Sequence, residues 1–189
     1  EKLLNHGAED IEKLNKEIEL IQSEDLRKFV RFYLEEVTPD YFWEVPASSS
    51  GKYHPQFALG TGGLVRHTKA VVMFAESLLR MNPYSELNDV SKDLIIAACI
   101  LHDTIKYGPK TFDYSLHKDH ARNAALMVEN AWELYFDSQA PSELIDAIRS
   151  HMGQWSTEPE DVPNSLSSDC VHLADYVASR PFIDIPDIG

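Results

Sequence analysis

The chain has 189 residues, 43% of them hydrophobic and 25% charged, proportions that fit one globular domain with its own core and exclude a disordered or fibrous class. Lys and Arg number 17 against 31 Asp and Glu, a formal net charge of -14. The average surface therefore repels polyanions, which disfavours extended nucleic acid and leaves room for a small anion drawn in by local cations.

Cys99 and Cys170 lack C-x-x-C spacing, and no apolar run approaches the roughly 20 residues of a membrane span. That excludes a zinc ribbon, a disulfide framework and a membrane helix, and makes the reducing cytoplasm the expected location. No basic stretch followed by an apolar one reads as a leader. The first residue is Glu1 rather than Met, which fits a chain trimmed from a longer one.

Ile11, Leu14, Ile18 and Ile21 recur at helical spacing between Glu and Lys and predict an amphipathic helix over residues 8 to 22. Ser23, followed by Glu24 and Asp25, reads as the cap of a second helix that runs through Leu26, Phe29, Val30, Tyr33 and Leu34 to about Val37. Pro39 stops it. Neither helix carries donor spacing, so residues 1–46 read as a helical extension packed on the rest of the chain or on a second copy of it. A homo-oligomer stays open on that ground. His6 reads as a terminal residue without a partner.

Between Pro46 and Thr61 the periodicity gives way to Pro, Ser and Gly, the mark of a loop. The segment is either a plain connector or a lid whose Ser49, Lys52 and His54 contact phosphate. Gly62 and Gly63 open a helix with Leu64, Val71, Phe74, Ala75, Leu78 and Leu79 on its buried side, and His67 shares that side. Ser91 starts the next helix, whose run from Leu94 to Leu101 ends abruptly in His102 and Asp103. Adjacent residues on a helix point about 100° apart, so both reach one cation only where the helix ends.

Residues 107 to 115 read as an irregular crossover. A helix from about His117 to Phe136 follows, burying Ala121, Ala124, Ala125, Val128, Ala131, Trp132 and Tyr135; His120 faces the Val128 side and is preferred over His117 as a donor. Pro141 suits a first helical turn, and that helix stops at His151. After a Pro-rich acidic loop holding Trp155, Ser167 or Ser168 caps a last helix with Val171, Ala174, Asp175 and Ala178, closed by Arg180 and Pro181. The runs Glu35-Glu36 and Glu158 to Asp161 read as solvated faces, and the tail beyond Pro181 as loosely held. No strand-period segment appears, so an all-α bundle is predicted.

His67, His102, Asp103, His120, His151 and Asp175 thus lie near the ends of separate helices, and a bundle builds a metal centre by bringing such donors to one point. In this order, with G-G-L-V-R-H-T, L-H-D-x-x-K, D-H-A and H-L-A-D-Y around them, the chain resembles the HD-domain metal-dependent phosphohydrolase superfamily from about Tyr53 to Arg180. One departure is the pair Thr104-Ile105, where the family commonly has an apolar residue and Gly.

The resemblance implies an HD-type domain over residues 47–189, with a core site of His67, His102, Asp103 and Asp175. His120 and His151 would serve a second ion. Such donors suit Fe, Mn, Ni or Zn over Mg, and Asp103 is the natural bridge. One or two such ions would activate water to hydroxide for attack on phosphorus. Lys106 is by resemblance the first choice to stabilise the developing charge, with Arg66 and Lys52 beside it, and Ser49, Lys52, His54, Arg66 and Lys106 form the expected substrate-binding set. His172, one turn before Asp175, reads as a residue behind the ligands or on the surface.

The function this implies is hydrolysis of a nucleotide or similar small phosphate ester. A phosphodiesterase or 3′ exonuclease on a single strand is the enzymatic alternative. A nucleotide-sensing module without turnover, which the altered Thr104-Ile105 turn would suit, is the non-enzymatic one.

Overall fold

The computed structural model describes residues 7–48, 51–52, 54–156 and 158–189, with only the backbone of residues 7 and 8; Ser49 and His6 lie outside the described residues. The helices are α1 (Gly7–Ile11), α2 (Asn15–Ile18), α3 (Glu24–Glu36), α4 (Gly63–Leu78), α5 (Asp89–Leu101), α6 (His120–Phe136), α7 (Ser142–Arg149) and α8 (Leu166–Ala178), joined by 3-10 turns, with no strand among the described residues. The chain is all-α. None of these helices is long and apolar enough to cross a membrane.

Helix α5 is the central element. Every residue from Asp93 to Leu101 is buried, as expected of a helix apolar on all sides. It packs against α4, α7 and α8, while α4 packs on α8 and α6 on α7. The N-terminal helices belong to the same core, since Leu14, Ile18, Ile21, Phe29 and Val30 cluster with Ile95 and Leu101. Asp93 fixes them there by accepting from the backbone N–H groups of Gln22 and Ser23, both at 2.8 Å.

Several boundaries differ from the predicted ones. The helix expected over residues 8 to 22 is broken by a 3-10 turn at Glu12–Leu14, because Leu14 leaves the helical region at φ -110°, ψ 10°. Asn15 there is engaged by Arg31 of α3 at 2.6 Å. All four of its apolar residues are nevertheless buried. Helix α5 starts two residues before Ser91, capped by Asn88, whose side chain accepts from Ser91 N at 2.9 Å. The α6 helix begins at His120, since Tyr114–Asp119 forms a 3-10 turn capped by Asp113. Tyr135, expected inside, packs on Phe29 and Phe32 yet stays 39% exposed. Pro141 precedes α7 as its cap residue. Ser165, not Ser167 or Ser168, caps α8, with Ser168 completing a capping box.

Two further expectations are overturned. Asp161 is buried rather than solvated, held by Arg122 and, at 3.5 Å, by Arg149. The tail is not loose either, because Ile185 and Ile188 pack against the core.

The loop before α4 is pinned to the start of that helix. Gly62 N donates to Glu44 O and Leu64 N to Val45 O, both at 2.9 Å, while Ala47 N donates to Ala58 O at 3.0 Å. A Cβ on Gly63 would stand 2.2 Å from the Ala58 carbonyl oxygen. Alanine is the better helix former by about 1 kcal/mol, but overpacking against backbone costs about 1–3 kcal/mol, so the clash decides the sign. Gly63→Ala is expected to lower the urea midpoint of unfolding; a raised midpoint would show that the loop does not need this approach.

Candidate metal centre

The buried run of α5 carries its C-terminus into the middle of the molecule, and there the helix loosens. His102 is the C-cap, and the chain continues in turns with Lys106 N on Asp103 O and Gly108 N on Ile105 O. That change of path lets the neighbouring His102 and Asp103, 0% and 1% exposed, address the same space. The departure at Thr104-Ile105 fits this turn: Thr104 Oγ1 donates to Leu101 O at 2.8 Å, and Ile105 is buried in the core. Tyr41 fastens the far end, donating to Gly108 O at 2.6 Å and accepting from Tyr107 N at 2.9 Å.

Around Asp103 the donors fall into two groups. On one side Asp103 Oδ2 lies 3.8 Å from His67 Nε2 and 3.5 Å from His102 Nε2. There Asp175 Oδ1 is 2.9 Å from His67 Nε2 and 3.8 Å from His102 Nε2. On the other side Asp103 Oδ1 lies 3.1 Å from His120 Nε2 and 3.7 Å from His151 Nε2. Lys106 Nζ donates to Asp103 Oδ2 at 2.6 Å.

The imidazoles are aimed by the backbone. His102 Nδ1 donates to Cys99 O at 2.8 Å, His151 Nδ1 to Ile148 O at 2.7 Å, and His120 Nδ1 to His117 O. With Nδ1–H spent on a carbonyl, the lone pair is on Nε2, the atom turned inward. His120 Nε2 and His151 Nε2 then face each other at 3.0 Å, an arrangement of two lone pairs that needs a proton or a cation between or beside them. His102 Nε2 and Asp103 Oδ1 are buried with no hydrogen-bond partner. Unspent buried acceptors of this chemistry fit a divalent ion, and the ligand atoms within each of the sets His67, His102, Asp103 and Asp103, His120, His151 lie within 4.8 Å of one another.

The electrostatics agree. Burial alone would raise the Asp103 carboxyl, but Lys106, His102 and the adjacent His120 and His151 rings hold it well below the usual carboxylate range. Burial likewise opposes ionisation of Asp175, and His67 with His102 and His151 outweighs it, so this carboxyl is lowered too. Burial pushes His102 down to about 4 against the pull of Asp103. It lowers His120 as well, whereas at His151 the contact with Asp103 overcomes burial and raises the ring. His54 is pushed down to about 3, first by burial and then by His67 and Lys106, and stays neutral at pH 7.

Of the residues singled out in the sequence, His67, His102, Asp103, His120, His151, Asp175 and Lys106 are brought together. His54 stands at the edge, its ring 5.5 Å from that of His67. Arg66 is turned to the loop, donating to Phe57 O at 2.6 Å and Leu59 O at 2.9 Å. Lys52 is exposed on that loop. His117 does not reach the cluster; it stacks on Tyr114 at 4.5 Å and lends His120 its carbonyl. His172 sits behind His151, donating from Nδ1 to His151 O at 2.7 Å, and a Cβ on Gly153 would strike its ring at 2.2 Å. Tyr41 had no signal in the sequence, since the 3-10 turn Asp40–Trp43 follows no apolar period.

A helical protein with imidazoles and carboxylates converging from five helices and the turns beside them defines the class: a metal-dependent hydrolase built in a bundle. The chain belongs to the HD domain family, which matches residues 64–180. It is similar to the dihydroneopterin 2′,3′-cyclic phosphate phosphodiesterase of Methanocaldococcus jannaschii, 31% identical over 187 residues, covering 90% of this chain and 69% of the relative. No solved structure matches the chain at a significant level. Family, relative and cluster together identify an HD-type metal-dependent phosphohydrolase acting on a small phosphate ester.

A chelator is expected to lower the melting temperature. Metal held about 1,000-fold above its dissociation constant adds about 4 kcal/mol, on the order of 10 °C for a chain of this size. An unchanged melting curve would mean that the cluster is closed by its own protons and ion pairs.

Proposed function

We propose that the chain opens the cyclic phosphodiester of a small nucleoside- or pterin-like molecule, with two divalent ions held on either side of Asp103. The observation that carries this reading is the division at that carboxylate, one oxygen toward His67 and His102 and the other toward His120 and His151. A carboxylate shared in this way suits ions about 3.5–4 Å apart, the spacing of two-metal hydrolytic sites. Four imidazoles and two carboxylates favour Fe, Mn, Ni or Zn over Mg. Ions of that kind, when bound, lower the pKa of water toward neutrality and neutralise phosphoryl oxygens. The choice of a cyclic phosphodiester is supported by the named activity of the M. jannaschii relative.

The chain's own groups have distinct parts in this proposal. Asp103 would serve both ions, with His67, His102 and Asp175 on one side and His120 and His151 on the other. Lys106, whose side chain is 15% exposed against 2% for Asp103, stands at the mouth and meets the charge that develops on the phosphoryl oxygens. His54, neutral and with Nδ1 buried without a partner, offers a hydrogen bond to the ester without adding charge. Lys52 belongs to the loop before α4, and Arg66 holds that loop in place. Residues 1–46 serve as scaffold for the domain formed by 47–189. Two buried free thiols, Cys99 and Cys170, support a reducing compartment such as the cytoplasm. The net charge of -14 favours a small substrate over a polymer.

Nucleoside 2′,3′-cyclic phosphates, phosphomonoesters and a single-stranded oligonucleotide, each assayed with Fe(II), Mn(II) or Zn(II), test the substrate class. The cyclic esters are expected to be opened in preference to the others; preferential release of mononucleotides from the oligonucleotide would overturn this choice. Loss of an outer hydrogen bond to a metal ligand costs about 10–100-fold, so Asp103→Ala is expected to cost at least on the order of a hundredfold in turnover. Elemental analysis should also show His151→Ala keeping about one of two ions while Asp103→Ala keeps neither. Equal metal content in the two variants would argue against the bridge.

A further inference from the structure

The ligand set opens to solvent on one side. The Asp175 side chain is 15% exposed, whereas His67, His102, Asp103, His120 and His151 lie between 0% and 5%. Next to Asp175, on α8 and the turn after α7, lies an ordered aromatic group that the hydrolytic machinery does not use, with the rings of Trp155 and Tyr176 each 6.3 Å from that of His172. Tyr176 follows Asp175 directly, and Trp155 lies four residues after His151. Their rings stack at 5.5 Å with an interplanar angle of 14°. Arg180, one turn on, donates from Nε to Tyr176 O at 3.0 Å, which fixes its guanidinium 4.1 Å from the Tyr176 ring centre and 5.8 Å from that of Trp155. Its neighbour Ser179 reaches Asp175 Oδ1 at 3.4 Å. The group is thus continuous in sequence with Asp175 and follows His151 by one short turn.

Trp155 is 49% exposed, while Trp43 is 5% exposed. One face of the Trp155 indole is covered by Tyr176, and the rest of its exposure is turned to solvent. Leaving half of so large an apolar side chain in water forgoes burial energy, and a planar heteroaromatic ring is what such a surface takes at small entropic cost. The neighbouring guanidinium adds a positive charge to a rim that must admit an anion.

We infer that Trp155, Tyr176 and Arg180 form a specificity shelf for the substrate, in which the outer face of Trp155 stacks on a planar heterocycle, a purine or pterin, attached to the phosphate ester. Granting the activity proposed above, on which this assignment rests, the shelf separates ring recognition from phosphate chemistry. The ring is read by α8 and the turn after α7, and the phosphorus is held among the ligands.

The test compares the metal-loaded full chain with Trp155→Ala and Trp155→Phe on two substrates, guanosine 2′,3′-cyclic phosphate and the ringless glycerol 1,2-cyclic phosphate. Stacking on an aromatic side chain is sequence-tolerant and strong enough that Trp155→Ala should reduce the preference for the guanosine ester, as a ratio of kcat/KM values, by about 10-fold. The change should fall on KM, and Trp155→Phe should restore most of it. Tryptophan emission should fall saturably as the guanosine ester is added to wild type, and this response should vanish in Trp155→Phe.

An unchanged preference in Trp155→Ala, or quenching that persists in Trp155→Phe, overturns the shelf. Should wild type turn over neither ester, the proposed activity fails, and the quenching titration alone then decides: saturable quenching that needs Trp155 sustains the shelf, and its absence removes it.

Discussion

A carboxylate at the end of a fully buried helix is the constraint on which the rest of this structure depends. Because α5 is apolar on every side, its packing carries Asp103 to a place that is 1% exposed. There an ionised group is costly unless it is paired and hydrogen-bonded. The compensation comes from Lys106 three residues on and from imidazoles on α4, α6 and the turn after α7. Those helices must therefore converge at one point, so the charge constrains how they pack as well as the core does.

The supports around the centre follow from the same requirement. Tyr41 fastens the turn that presents Asp103 and Lys106. His172 fastens the carbonyl of His151. Arg122 and Arg149 clamp the buried Asp161, tying α6 and α7 to the loop that leads into α8. None of these touches the inward-facing atoms of the cluster, and each fastens an element that leads to or from it. A cluster whose members come from five elements tolerates little drift in any of them.

How much of this was legible in the sequence depended on whether a residue belonged to a repeating pattern. The apolar run from Leu94 to Leu101 has one reading, a buried helix, and a His-Asp pair at its end has a clear consequence. His120 over His117 followed from the side shared with Val128, and the structure shows why both exist: one ring reaches the cluster and the other residue supplies the carbonyl that aims it. The grouping of donors into a phosphohydrolase site came from resemblance, not from periodicity. What the sequence left unread was settled by partners distant in the chain. Arg31 reaches Asn15 where the first helix breaks, and Ser165 outranks Ser167 and Ser168 because its hydroxyl and that of Ser168 close a reciprocal pair. Asp161 is indistinguishable from Glu158 and Glu160 by sequence until Arg122 and Arg149 are seen to converge on it.

The helix-end architecture also explains how the imidazoles are oriented without carboxylates devoted to them. A carbonyl oxygen has two lone pairs and can take a side-chain donor beside a backbone one, and His102, His120 and His151 each place Nδ1–H on the carbonyl three residues earlier, those of His117 and Ile148 also accepting a backbone N–H. The backbone thus performs the task that an outer carboxylate performs in many metal sites. His67 is different. It lies inside α4, where the carbonyls are already engaged, and its Nδ1 is buried without a partner. Its orientation rests on Asp175 at 2.9 Å and on the neighbouring ring of His54. Asp175 is the most solvent-accessible of the ligands, so the imidazole least constrained by the backbone is held by the carboxylate nearest the mouth.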